Sequence, residues 1–161
     1  MSIDKERVLY WLPVILLPAG NLLMLCFAPV SVNARTLLPS LIGAVTEELF
    51  FRWLLLKTVL LPRIKSKPAI LLVSVLFAVM HLLNLRNGTS LPDVLVQMLC
   101  AFCFSVWAGA VTWQSTWLIP LLAHVLVNLT AITDETLLPI LVSVAVLADG
   151  ILLLKENVHH K

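Results

Sequence analysis

The chain alternates long apolar runs with short polar breaks. A helix needs about 20 mostly apolar residues to cross a bilayer core of about 30 Å. Six runs approach or exceed that length: Val8–Val30, Leu37–Leu61, Ala69–Leu83, Val94–Trp113, Leu118–Ile132 and Leu137–Leu154. The third and fifth are short, and they suit a tilted, sunken or shielded segment. Lipid offers no partner to a backbone N–H or C=O, so each run is expected to be helical. A membrane barrel would instead show segments of about ten residues with alternating polarity, and none is present.

The breaks carry turn chemistry. Pro62–Pro68 is a basic turn with a proline at each end, and Asn84–Asp93 contains Asn-Gly and a further proline, both loop formers. Gln114–Thr116 and Thr133–Thr136 read as short polar connections. There is no internal repeat or low-complexity tract.

Composition strengthens the membrane reading. Of 161 residues, 60% are hydrophobic and 12% charged, and the mean hydropathy is +1.01. A soluble domain of this length needs far more polar surface. The expected fold is therefore all-α, a polytopic membrane bundle of about six transmembrane helices forming a single domain over residues 1–161.

The net charge of +2 comes from basic residues near run ends, a topology signal rather than a nucleic-acid footprint. Six crossings would place Lys5, Arg7, Lys57, Arg63, Lys65, Lys67, Lys155 and Lys161 on one side, against Arg35 and Arg86 on the other. The positive-inside rule makes the richer side, with both termini, cytoplasmic. Lys5 and Arg7 ahead of an apolar run resemble a signal peptide, but no small-x-small cleavage site follows, so the run is read as an uncleaved first helix. Cys26, Cys100 and Cys103 lie in apolar runs and read as small buried hydrophobes, with a redox pair at Cys100 and Cys103 as the alternative.

Strongly polar side chains inside these runs are the candidate chemistry. An ionisable residue near the centre of a membrane helix costs roughly 2.5–3.5 kcal/mol on insertion scales. The second run nevertheless holds Glu47, Glu48 and Arg52; the third ends on His81; the fifth holds His124 and Asn128; the first holds Asn21. Glu48 and Arg52 are four apart with the acid first, the better orientation for an ion pair. Glu47 is about 140° around the helix from Arg52 at 3.6 residues per turn. One carboxylate is thus expected to be satisfied locally and the other to seek a partner on a different helix. His124 and Asn128, also four apart, share a helical face.

These spacings let Glu47, His81, His124 and Asn128 meet from three helices in one buried polar pocket. A carboxylate beside two imidazoles can serve as a general base. The same residue types also act as plain interhelical glue, which is the reading for Asn21.

The motifs Glu47–Arg52 (EELFFR), Phe77–His81 (FAVMH) and His124–Asn128 (HVLVN) match, in order, the EExxxR, FxxxH and HxxxN patterns of the CPBP or Abi family, which joins CAAX prenyl proteases and bacteriocin-processing enzymes. The resemblance runs from Leu37 to about Ile132 and looks like the compact prokaryotic form. It implies a glutamate-type intramembrane endopeptidase in the bacterial cytoplasmic membrane, acting on a peptide or protein. It assigns water activation to Glu47 and His81, oxyanion stabilisation to His124 and Asn128, and structural support to Glu48 and Arg52. It implies no cofactor, the alternative being zinc held by His81, His124 and Glu47. Two other functions compete: a non-catalytic immunity or scaffolding protein of the same fold, and an ion or proton transporter using these groups as a relay. Against the transporter, the segments lack inverted-repeat symmetry.

Overall fold

A computed structural model describes residues 5–25, 34–130 and 137–156. The Asn21 side chain, Cys26 and the Thr133–Thr136 connection lie outside the described residues. Six helices follow in order: α1 (Lys5–Leu25), α2 (Ala34–Glu48, continuing as a π-helix over Leu49–Leu60), α3 (Ser66–Met80, continuing as a 3-10 helix over His81–Asn87), α4 (Leu91–Gln114), α5 (Leu118–Thr130) and α6 (Leu137–Glu156). No strand occurs among the described residues, so the fold is an all-α bundle.

Helix α4 is the axis of the bundle. Every side chain from Cys103 to Thr112 is buried, as expected of a helix with neighbours on all sides. Helices α3 and α6 pack along it, α1 lies against α5 and α6, and α2 lies against α5. Small residues permit the closest approaches. A methyl group at Gly150 would sit 2.8 Å from the Trp107 backbone, and one at Gly109 2.8 Å from Ile70, the small-residue contact typical of membrane helices. Polar ties join the same helices: the Trp107 indole donates to Leu9 O at 3.3 Å, and Tyr10 donates to Gln114, whose amide donates to Leu153 O.

The polarity of the bundle is inverted. Glu48, Arg52, Ser74, Ser105, Thr112, Ser143 and Asp149 are buried, while large apolar side chains such as Ile15, Leu38, Ile42, Leu71 and Leu141 are more than half exposed. An outer surface this apolar calls for a membrane or a partner. Two of the described helical segments, Ser66–Asn87 and Leu91–Gln114, are long and apolar enough to cross a membrane, where the apolar pattern suggested about six crossings. Val8–Gly20 and Leu118–Thr130 are apolar but shorter. The reasons are physical. Helix α5 has 13 residues, about 20 Å at 1.5 Å per residue, and the middle of α2 carries the charges of Glu47, Glu48, Arg52 and Lys57.

Two further differences concern the breaks and the winding. The expected loop Asn84–Asp93 begins later, because 3-10 turns carry α3 on to Asn87 and the chain reverses at Gly88, φ 87°. That left-handed angle suits glycine, which closes the helix by donating its N–H to Asn84 O and Leu85 O. The second run winds as a π-helix from Leu49, with the Leu61 N–H reaching back five residues to Leu56 O. Its inward residues explain the winding. Ala44, Glu48, Arg52 and Leu56 are all buried at four-residue intervals. In an α-helix that spacing drifts about 40° per step; a wider turn opposes the drift and keeps the stripe facing the core.

Candidate active site

Four charged or titratable groups form a chain across α2 and α5. Arg52 Nε lies 3.1 Å from Glu48 Oε2, and neither side chain has any exposure. Glu48 Oε1 lies 3.0 Å from His124 Nδ1, and His124 Nε2 lies 3.8 Å from Glu47 Oε2. The first histidine contact is a hydrogen bond, and since a carboxylate only accepts, Nδ1–H donates. The second is too long for one and is an ion-pair distance. Glu48 therefore has two partners, Arg52 on its own helix and His124 on another. Glu47 is 43% exposed and faces a different environment from its neighbour.

Phe77 is the apolar hub of these groups. The Arg52 guanidinium carbon sits 4.7 Å from its ring centroid, a cation–π distance. The rings of Phe51, His81 and His124 approach it at 5.2, 5.5 and 6.0 Å, all edge-on. Edge-to-face contacts of this kind favour fixed ring orientations. The second motif thus supplies a histidine and, one turn earlier, the surface on which both histidines and the arginine rest.

His81 begins the 3-10 segment and places Nδ1 3.1 Å from Phe77 O. A carbonyl can only accept, so Nδ1–H donates and the neutral ring keeps its lone pair on Nε2. Asn128 donates from Nδ2 to Ser40 O at 2.9 Å, which ties α5 to α2 and leaves the second amide hydrogen and the carbonyl oxygen.

Two adjoining cavities share Phe77 and His81 in their walls. One, about 200 Å³, is bounded by Glu47, Phe51, Phe77, Met80, His81 and Asn84. The other, about 190 Å³, has His81, His124 and Asn128 in its wall. The four residues expected in a single pocket are therefore divided: Glu47 with His81 in the first, His124 and Asn128 with His81 in the second. His81 stands between.

The alternative zinc set of His81, His124 and Glu47 is not assembled. No group of three or more His, Cys, Asp or Glu side chains is arranged to hold a metal ion among the described residues. As placed, these three residues do not fit that metal set. Cys100 and Cys103 are free thiols, Cys103 in the core and Cys100 in the wall of the second cavity.

Several residues escaped the reading of the sequence. Asn84, in a stretch assigned to a loop, lines the Glu47 cavity and donates to Gln97 at 2.8 Å. Ser40, the acceptor for Asn128, gave no signal. Asp149 did give one, as an acid within the sixth apolar run; it is 4% exposed and lies outside both cavities.

Comparison with curated proteins and with solved structures yields no match. The model of the Rce1-like family, described as type II CAAX prenyl endopeptidase Rce1-like, matches residues 29–130. That stretch is more than half of the chain and carries α2 to α5 with all three motifs. Taken with an apolar exterior wrapped around buried charge, the match leaves one conclusion: this is a membrane-associated chain of the Rce1-like, CPBP/Abi family, a family of proteases.

Proposed function

We propose that the chain is an intramembrane endopeptidase in which Glu47 and His81 activate a water for attack on a scissile carbonyl. The observation that carries the reading is the unequal treatment of the two glutamates. Glu48 is enclosed and held by two cationic or donor groups, whereas Glu47 is partly open and shares a cavity with His81. A base must reach its proton, and of the two it is Glu47 that borders one of the described cavities.

The steps follow from the groups present. Glu47 takes a proton from a water bridging it to His81 Nε2, and the nascent hydroxide adds to the peptide carbonyl. The charge that develops on the carbonyl oxygen is met by an Nε2–H of His124 and by the free amide hydrogen of Asn128; preorganised donors lower such barriers in this way. The His124 contribution requires a proton on both ring nitrogens, because Nδ1–H is held by Glu48. The proton on Glu47 passes to the leaving amine, and the bond breaks. Glu48 and Arg52 do not touch the substrate; they hold His124 and the α2 helix in place. The substrate is a peptide or protein met at the membrane, with all six helices embedded and both termini on the cytoplasmic side.

The test is peptidomic. Membrane-associated peptides are compared by mass spectrometry in cells carrying the native chain and the Glu47→Gln variant at equal folded amounts. Products that vanish in the variant support the reading; an unchanged peptide inventory overturns it in favour of a non-catalytic role.

A further inference from the structure

The second cavity is closed by helices that the family match does not include. Its polar wall comes from His81, His124 and Asn128 within residues 29–130, and its opposite wall from Leu17 and Gly20 of α1 with Val142 and Ser143 of α6. Cys100 and Phe104 of α4 complete it. The lining is therefore largely apolar, with His81, His124 and Asn128 as its polar side and the Ser143 hydroxyl facing in from α6.

Size narrows the occupant. Pockets for whole small-molecule ligands run from about 300 to 1,000 Å³, and an apolar cavity of about 150 Å³ already accepts benzene. About 190 Å³ fits one bulky apolar side chain. The distance between α1 and α6 sets its depth. A methyl group built on Gly20 would stand 3.2 Å from Val142 Cγ2, closer than ordinary contact, so any side chain at position 20 pushes into this wall.

We infer that this cavity receives one bulky apolar side chain of the substrate, of the leucine, methionine or phenylalanine class, next to the scissile bond, and that Gly20, Val142 and Ser143 set the size it accepts. The inference rests on the endopeptidase reading and adds the substrate class to it. On this view the motif helices supply the chemistry, and α1 and α6 select the substrate.

The experiment has two arms on the full chain in detergent. In the first, a randomised peptide library is digested and cleavage sites are read by mass spectrometry. The native chain should show one position dominated by Leu, Met or Phe. Gly20→Val and Ser143→Leu should shift that position toward Ala, Ser and Val, and Val142→Ala toward Trp. One methylene in such a pocket discriminates by about tenfold or more. In the second, Cys100 is modified with methyl and benzyl methanethiosulfonates, and the site of labelling is confirmed by mass spectrometry. Gly20→Val and Ser143→Leu should slow the benzyl reagent about tenfold relative to the methyl one. Cleavage with an unchanged side-chain profile in all the folded variants overturns the inference while leaving the protease intact. No cleavage by the native chain, with benzyl labelling of Cys100 still normal, overturns the protease reading and the inference with it. Equal slowing of both reagents also counts against a size-selective pocket.

Discussion

His124 donates from Nδ1 to Glu48 Oε1 at 3.0 Å, joining the third motif to the first across two helices. Glu48 is thereby held from both sides, since Arg52 reaches its other oxygen. A buried pair with one member removed leaves an uncompensated charge, at a cost of roughly 3–5 kcal/mol. Arg52→Ala and Glu48→Ala should each lower the amount of folded protein in detergent size exclusion, and the double variant should regain part of it. Combining Glu47→Ala with Arg52→Ala should bring no recovery. Rescue in that second combination, and none in the first, would reverse the roles given to the two glutamates.

Glu47 lies 3.8 Å from His124 Nε2 and is 43% exposed, so its neutral isostere should fold. Glu47→Gln is expected to keep near-normal yield and to abolish cleavage, and His81→Ala to behave alike. The measurement is turnover per folded molecule, and full activity in Glu47→Gln would remove the proposed base.

Asn128 makes a double prediction because its amide serves two purposes. Loss of one oxyanion donor lowers the rate by roughly 10²–10³, and loss of the bond to Ser40 O lowers stability by roughly 0.5–1.5 kcal/mol. Asn128→Ala should therefore show residual turnover together with a lower unfolding midpoint. A midpoint shift with undiminished turnover would confine Asn128 to structure.

Metal dependence is open to direct measurement. If Glu47 and His81 activate water unaided, turnover in detergent should persist after prolonged treatment with strong chelators. Loss of activity that zinc alone restores would make His81, His124 and Glu47 ligands, and would require the two cavities to rearrange around the ion.

Topology can be read with thiol labelling. A cysteine placed at Asn87, beside the Gly88 turn, and one added after Lys161 should react from opposite sides of intact vesicles. Reaction from one side would mean that an odd number of the helices after Asn87 fails to cross.

What could be read in the chain beforehand was whatever local spacing controls. Apolar runs marked the six helices, and a separation of four placed Glu48 against Arg52. The Glu48–His124 and Asn128–Ser40 bonds span 76 and 88 residues of chain, and no spacing rule reaches that far. The 3-10 extension to Asn87 was hidden because Asn-Gly is a general turn signal, and here it ends a helix instead of opening a loop. The π-helix was hidden for the opposite reason: its residues are ordinary helix formers, and its winding answers to what α2 must bury. The two cavities that divide the motif residues share Phe77 and His81 in their walls, a tertiary arrangement that no local spacing encodes.

Glu47 and Glu48 differ by a single step along one backbone, and a helix turns about 100° between neighbours. Whatever direction the first takes, the second cannot take it too. A slip of α2 by one residue would move one glutamate into the other's place and carry Arg52 round with it, so that base and anchor could not both stand where they do now. The duplicated acid is thus a directional pair whose meaning depends on rotational phase. Inserting or deleting one residue between Ile42 and Thr46 rotates the helix relative to everything before it without altering either glutamate. Such a change tests the phase itself, and it is expected to be as damaging as removing an acid outright.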